Sequence, residues 1–205
     1  MKNPWERIYK EGIFDKKPHP EIKKVTDFFY KNQTNRILDL GCGAGRNLIY
    51  LADKGFELYG LDSSSTGLKY TINRLNEKKL SDHLTLHDMV SLPYGSEYFD
   101  AVISIQVIHH NIVKDIEVTV REITRVLKYK GLIWITMPVS KNEPGIKQKE
   151  IEPRTFIPLN GPEKGLEHHY FKEEEIPLLF SKFSVIGFHI DQTKHFSFLA
   201  RKVLK

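Results

Sequence analysis

The chain has 205 residues, 40% hydrophobic and 28% charged, with a formal net charge of +5 and a single cysteine. That composition excludes a disordered or fibrous chain, an internal disulfide and a cysteine-based zinc cage. No apolar run reaches membrane-spanning length, Met1–Arg7 carries no signal-peptide core, and the basic residues are interleaved with acids as in Lys172-Glu173-Glu174-Glu175; the expected setting is therefore the cytoplasm, with no membrane, and nucleic acid is disfavoured as a partner.

Residues 1–35 precede the first core strand and read as a helical arm. Trp5, Ile8, Tyr9 and Gly12 have helical spacing, Lys17-Pro18-His19-Pro20 interrupts the chain, and Ile22, Val25, Phe28 and Phe29 then fall on one side of a second helix. From residue 36 strand and helix alternate, the pattern of a parallel sheet covered on both faces. The strands are expected at 36–40, 57–61, 84–87, 100–105 and 132–136. A helix from about Gly45 to Lys54 follows the first strand. Ser63, Ser64 and Ser65 offer N-caps to the next helix, which carries Leu68, Ile72 and Leu75. Ile112, Ile116, Val120, Ile123 and Leu127 form the buried stripe of another helix, with Asp115 and Glu117 near its start and Lys128 and Lys130 near its end, as the helix dipole prefers.

Residues 138–171 break this rhythm with five prolines and three glycines and end in His168-His169-Tyr170-Phe171. So long a segment without a clear period reads as a functional insert. A short helix at 173–181 and two strands, 183–190 and 194–202, close the chain. No repeat is present, and residues 1–205 read as one domain.

The most informative stretch is Arg36-Ile37-Leu38-Asp39-Leu40-Gly41-Cys42-Gly43-Ala44-Gly45-Arg46-Asn47. It reads as strand, glycine turn and helix, so a ligand in the turn meets backbone without an intervening Cβ and faces the unpaired N–H groups of a helix start. A dinucleotide fingerprint wants G-x-G-x-x-G, but its third position is Arg46; the glycine stands at Gly45. In an open α/β sheet, ligands bind outside the carboxyl ends of the strands. Here those ends carry the glycine turn, Asp62, Asp88-Met89 and Ser104-Ile105-Gln106, the last leading to His109-His110.

The run from Ile37 to Pro138 resembles the class I methyltransferases that use S-adenosylmethionine. The resemblance rests on Leu38-Asp39-Leu40-Gly41-Cys42-Gly43-Ala44-Gly45, Gly60-Leu61-Asp62, His87-Asp88-Met89, Phe99-Asp100-Ala101-Val102 and Arg125-Val126-Leu127-Lys128. The Gly45-Arg46-Asn47 ending and the Trp5-Glu6-Arg7-Ile8-Tyr9 arm are similar to the small-molecule branch that includes the tellurite-resistance proteins and the type 11 methyltransferase domains. Lys128-Tyr129-Lys130-Gly131 departs from the family, which has Pro-Gly before that glycine.

This resemblance implies a doubly wound, mostly parallel seven-stranded sheet of order 3-2-1-4-5-7-6, last strand antiparallel. It also implies S-adenosylmethionine as cofactor, S-adenosylhomocysteine as product and in-line transfer of the methyl group to a small-molecule acceptor. The cofactor is expected to lie along Gly41, Cys42, Gly43, Gly45, Arg46, Asn47, Asp62, Ser63, Asp88, Met89, Ser104, Ile105 and Gln106. Asp62 suits both ribose hydroxyls; Asp88 suits the adenine amine and Met89 the base's apolar face; the acids also suit a cationic sulfonium. Asp39 is expected to hold the turn. The Asn/Asp-Pro-Pro-Tyr run of many exocyclic-amine methyltransferases is absent after the fourth strand, where Gln106-Val107-Ile108-His109-His110 stands. His109, His110 and His169 are candidate bases, since histidine titrates near neutral pH. Trp5, Tyr9, Arg154, His168 and Tyr170 are candidate substrate or lid residues, the arm and residues 138–171 forming the roof. Adjacent histidine pairs lack a ligand spacing, so no metal is expected. An RNA methyltransferase and a non-catalytic S-adenosylmethionine-binding module are the alternatives.

Overall fold

The computed structural model describes residues 3–81, 83–139 and 145–204. Residues 140–144 of the expected insert, and Met1 and Lys2 of the arm, lie outside the described residues. The arm supplies α1 (Pro4–Lys10) and α2 (Ile22–Lys31). The alternating part runs β1 (Arg36–Leu40), α3 (Arg46–Asp53), β2 (Glu57–Asp62), α4 (Ser65–Lys78), β3 (Leu84–Leu86), β4 (Phe99–Ile105), α5 (Val113–Val126) and β5 (Leu127–Pro138). It is followed by β6 (Gln148–Glu152), β7 (Thr155–Pro158), β8 (His168–His169), α6 (Glu175–Leu179), β9 (Phe183–Ile190) and β10 (His195–Lys202).

The main sheet has the order β3-β2-β1-β4-β5-β10-β9. β1 to β5 are parallel neighbours, and β10 enters antiparallel to both β5 and β9. With the three insert strands set aside, this is the expected order, with the turn into the last pair made by a hairpin. Alternation along each central strand divides the core between two faces. Ile37, Ala101, Ile103, Leu132 and Trp134 pack with α2, α3 and α4. Leu38, Val102, Ile133 and Ile135 pack with the apolar stripe of α5.

Asp100 shows why an acid opens β4. Its Oδ2 accepts the backbone N–H groups of Asn35 at 3.0 Å and Arg36 at 2.8 Å, and its Oδ1 accepts from Lys128 Nζ at 2.6 Å. Burial would raise its pKa, but these donors outweigh burial and hold it below the ordinary carboxylate value. One carboxylate thus pins the starts of β1, β4 and β5 at the edge opposite the glycine turn. The departure at Lys128–Gly131 falls at the same remote edge, where Lys130 takes a left-handed φ of +64°.

The insert is more regular than its sequence indicates. β6, β7 and β8 form a small antiparallel sheet, with Arg154 at φ +62° in the tight connection between the first two strands. β6 is exposed along almost its whole length, so no apolar alternation marks it. Among the described residues no helix is long and apolar enough to cross a membrane.

The first helix of the arm, α1, is fastened to α4 through Glu6. Its carboxylate accepts from Ser64 Oγ at 3.1 Å, Thr66 N at 3.2 Å and Thr66 Oγ1 at 2.6 Å, so it lies at the N-terminus of α4. The Thr66 hydroxyl, followed by other donors of that turn, lowers its pKa from 4.5 to about 2. A carboxylate with a depressed folded pKa stabilises above its unfolded pKa and loses that effect as pH falls through the folded one. Trp5 fluorescence in a Trp134→Phe background should therefore be constant from neutral pH to about 4.5 and change between about 4.5 and about 2. Glu6→Ala should show the released signal already at neutral pH.

A second anchor is Lys202, 3% exposed, whose Nζ donates to Thr124 O at 2.8 Å and Leu127 O at 2.7 Å. It satisfies carbonyls that the end of α5 leaves unpaired. Lys202→Met should lower unfolding free energy by about 1–3 kcal/mol in denaturant titrations, the cost of stranding buried acceptors.

Candidate active site

At the carboxyl edge of the sheet, β1 gives way to a turn in which Gly41, Gly43 and Gly45 have φ of +75°, +54° and +75°. The N–H groups of Gly41 and Cys42 both donate to Leu61 O, at 2.7 and 3.1 Å, which locks the turn to the end of β2. A Cβ at Gly43 would collide with the Tyr9 hydroxyl, and one at Gly41 with Val107. The glycines are thus required by backbone sign and by close approach together.

Asp62 closes the structure. Its Oδ2 accepts from Gly43 N at 2.8 Å and its Oδ1 from Ser64 N at 2.8 Å. The residue is 7% exposed, and burial raises its pKa to about 6 against those hydrogen bonds. Asp39 lies behind it, 3% exposed and raised to about 7 by burial, with Arg46 opposing the shift. Burial and the two acids push the Cys42 thiol up as well, so it is no activated nucleophile. Tyr9, shifted upward by burial and by Asp62, lies over the turn.

Arg46 and Asn47, at the start of α3, have protein partners. Arg46 donates to Asp15 Oδ2 at 3.0 Å and to Gln106 Oε1 at 2.7 Å, and Asn47 Oδ1 accepts the His19 N–H at 2.9 Å. Gln106 follows β4 with φ +62°, a conformation few side-chain-bearing residues adopt, and its amide also reaches Thr193 Oγ1 and His195 Nδ1 at 3.4 Å.

The turn opens into a chamber of about 1310 Å³. Gly41, Cys42, Gly43, Arg46, Asn47, Asp62, Ser63, Asp88, Met89, Ile105 and Gln106 line it, and so do Trp5, Tyr9, His109, His110, His168 and Tyr170. Its far wall is imidazole-rich. The rings of His109 and His110 are 3.9 Å apart, those of His110 and His168 4.6 Å, and Trp5 stands edge-on to His110 at 4.7 Å. The His169 N–H donates to His109 O at 2.8 Å, docking β8 against the segment after β4.

Four expected site residues do not line the chamber. Ser104 is fully buried inside β4. Gly45 caps α3 and packs against Thr71, so its part is to shape the turn. Arg154 is paired with Glu175 and donates from Nε to Tyr170 O at 3.2 Å, which turns it from any acceptor. His169 follows His168 in a strand and so points to the opposite side. Its Nδ1 lies 2.8 Å from Thr155 Oγ1, it packs against Phe171, and it lines a separate cavity between α5 and α6. Burial, with Arg154 nearby, lowers its pKa to about 4.

The structure also brings in residues the sequence did not single out: Asp15, Phe14, Glu163, Thr193, Lys194 and His195 line the same chamber. Their only common signal is spatial. They come from segments that lack a motif and converge on one sheet edge.

Residues 38–135 match the methyltransferase domain family. Methyltransferase GfsG of Streptomyces halstedii is 32% identical over 104 residues, 49% of this chain and 37% of that protein. The chain thus spans well under two thirds of that relative's length. Among solved structures, the 1,6-didemethyltoxoflavin-N1-methyltransferase of Burkholderia thailandensis, with bound S-adenosylhomocysteine, superposes with a TM-score of 0.74 at 15% identity, covering 97% of this chain and 85% of that one. TehB of Haemophilus influenzae gives 0.68 at 17% identity, covering 97% and 67%. Residues 38–135, just under half of the chain, thus carry the match to the methyltransferase domain family, and the chain shares the fold of these two solved structures.

Proposed function

We propose that the chain binds S-adenosylmethionine in the acidic, glycine-turn half of the chamber and methylates a small-molecule acceptor held in the imidazole half. The observation that carries this reading is Asp62. Each of its oxygens accepts one backbone N–H, which fixes the carboxylate and leaves further lone pairs for a cis-diol. The positive-φ glycines leave room beside it for an amino-acid tail. The donor set fits the cofactor: a buried acid for ribose, Asp88 and Met89 at the end of β3 for adenine, and several carboxylates near a cation.

When bound, S-adenosylmethionine supplies an electrophilic methyl group on a sulfonium. The chain's own work is to align and to exclude water. The turn and Asp62 orient the cofactor; α1 covers it, with Tyr9 against Gly43 and Trp5 against His110. Arg7 ties that cover to the insert through Pro162 O at 2.7 Å and Lys164 O at 3.2 Å. His109 and His110 face the acceptor half, where a neutral imidazole is the side-chain base suited to neutral pH. A cytoplasmic setting belongs to the same reading, with the one cysteine, Cys42, buried in the turn.

Calorimetry should show binding of S-adenosylmethionine and S-adenosylhomocysteine and none of NAD; the reverse result would defeat the proposal. Asp62→Ala should cost roughly 1.5–3 kcal/mol of cofactor affinity, the scale of a hydrogen bond to a charged group. Labelled cofactor over a metabolite panel then identifies the acceptor. In hydrogen exchange, added S-adenosylhomocysteine should protect amides of α1 and of residues 145–171 as well as the turn. Protection confined to the strand ends would remove the arm and insert from the role of roof.

A further inference from the structure

The two histidine pairs, read along the chain, have no spacing that would hold a metal. The fold changes the grouping. Val107 to His110 form a turn closed by the His110 N–H on Val107 O at 2.9 Å, and this turn carries both His109 and His110 on one side. Strand alternation in β8 sends His169 away and leaves His168 facing them. The result is a set of three, His109, His110 and His168, whose ligand nitrogens all lie within 4.8 Å of one another. Glu163 places a carboxylate oxygen 3.5 Å from His168 Nε2.

We propose that His109, His110 and His168, with Glu163 beside them, bind a divalent transition-metal ion at the acceptor end of the chamber. Three features favour it. The three imidazoles are buried, with exposures of 4%, 8% and 2%, and one nitrogen of each lies within 4.8 Å of the others, while His110 Nδ1 also lies 3.2 Å from Glu167 O. Gathering three such rings is disfavoured when more than one carries a proton, whereas a cation turns the same grouping into shared ligation. Imidazole ligands select zinc and its first-row neighbours over magnesium or calcium, which require oxygen. Bonds of about 2.0–2.1 Å to zinc fall within what nitrogens gathered inside 4.8 Å can reach by small ring movements. Glu163 is partly exposed on the outer side of the cluster and marks the route of entry.

The other histidine–acid group differs in kind. His19 Nε2 faces Asp191 Oδ2 at 3.1 Å and its Nδ1 accepts the Glu21 N–H at 3.3 Å, while Glu21 is taken up by Ser197 and His189. His19 links the arm to the β9–β10 connection through these contacts.

On the proposed methyltransferase reading, on which only this role rests, the ion leaves a coordination position open to an oxygen, nitrogen or sulfur of the acceptor. It orients that atom and favours its deprotonated form. His109 and His110 then act as ligands, and their part as bases is replaced.

The test uses the full chain, stripped with chelator and without cofactor. Titration with Co²⁺ should give visible ligand-field bands saturating at a single equivalent, and Zn²⁺ should displace them. His168→Ala should weaken binding at least about tenfold, while His83→Gln, at an exposed position outside the cluster, should leave it unchanged. Because a buried substitution can impair folding, ring resonances of the unsubstituted chain provide an independent reading: Zn²⁺ should shift His109, His110 and His168 together. Absence of saturable binding, binding undiminished in a folded His168→Ala protein, or shifts confined to other histidines would each overturn the proposal. S-adenosylhomocysteine affinity, measured on the same stripped protein, reports on the cofactor site separately, so either assignment can fail alone.

Discussion

The structure turns on a carboxylate held across a glycine turn. Asp62 reaches from the end of β2 to Gly43 N on one side and to Ser64 N, at the start of α4, on the other. Burial works against its charge and two backbone donors work for it, which leaves its pKa at about 6. The same contacts explain the neighbouring sequence. Gly43 must present its N–H to the carboxylate with a positive φ, and its bare Cα must accept Tyr9 from the other side. Thr71 Oγ1 donates to Gly43 O at 2.7 Å, so both polar groups of this one peptide position are engaged from α4 and β2. A turn fixed from both ends is preorganised, and little entropy is lost in it when a ligand arrives.

Around that centre the chain uses polar contacts where the sheet offers no apolar face. Glu6 fastens α1 to α4, Arg7 carries the same helix to the insert, and His19 with Asn47 fastens the approach to α2 onto α3. These links span long sequence separations and lie at the chamber rim. Contacts made of a few hydrogen bonds open at lower free energy than a packed core. Trp134, fully buried in the sheet, belongs instead to the packed core.

Much of this could be read from the residues. The strand–helix alternation, the glycine turn and the acids at successive strand ends are local signals, and each depends on a few neighbouring positions. The insert strands were not legible because β6 has no buried face, and the prolines and glycines of residues 138–171 read as irregular chain. The direction of Arg154 was hidden for another reason: a surface arginine and an acceptor-binding arginine look alike until Glu175 is seen beside it. His168 and His169 are equivalent in sequence, and only membership in a strand separates them, one to the chamber and the other toward α5. The grouping of His168 with His109 and His110 requires the long-range pairing of β8 with the segment after β4, which no local period encodes.

Gln106 shows how the two halves of the chamber are made one. Its left-handed backbone lies between the glycine-turn wall and the histidine turn, and such a conformation persists only where the surroundings over-determine it. They do so here. The Gln106 N–H donates to Thr136 Oγ1 at 2.9 Å, its carbonyl oxygen of the side chain accepts from Arg46, and its amide faces Thr193 and His195. Asp191 organises that last pair, accepting from Thr193 N at 2.7 Å and His195 N at 3.1 Å, and faces His19 from below. The path from the glycine turn to the β9–β10 connection is therefore a continuous set of polar contacts that passes through one strained residue. A shift of Arg46 toward a ligand would be felt at Gln106, and through it at the start of the turn that carries His109 and His110. Geometry on the acidic side and geometry on the imidazole side are in this way fixed by the same side chain.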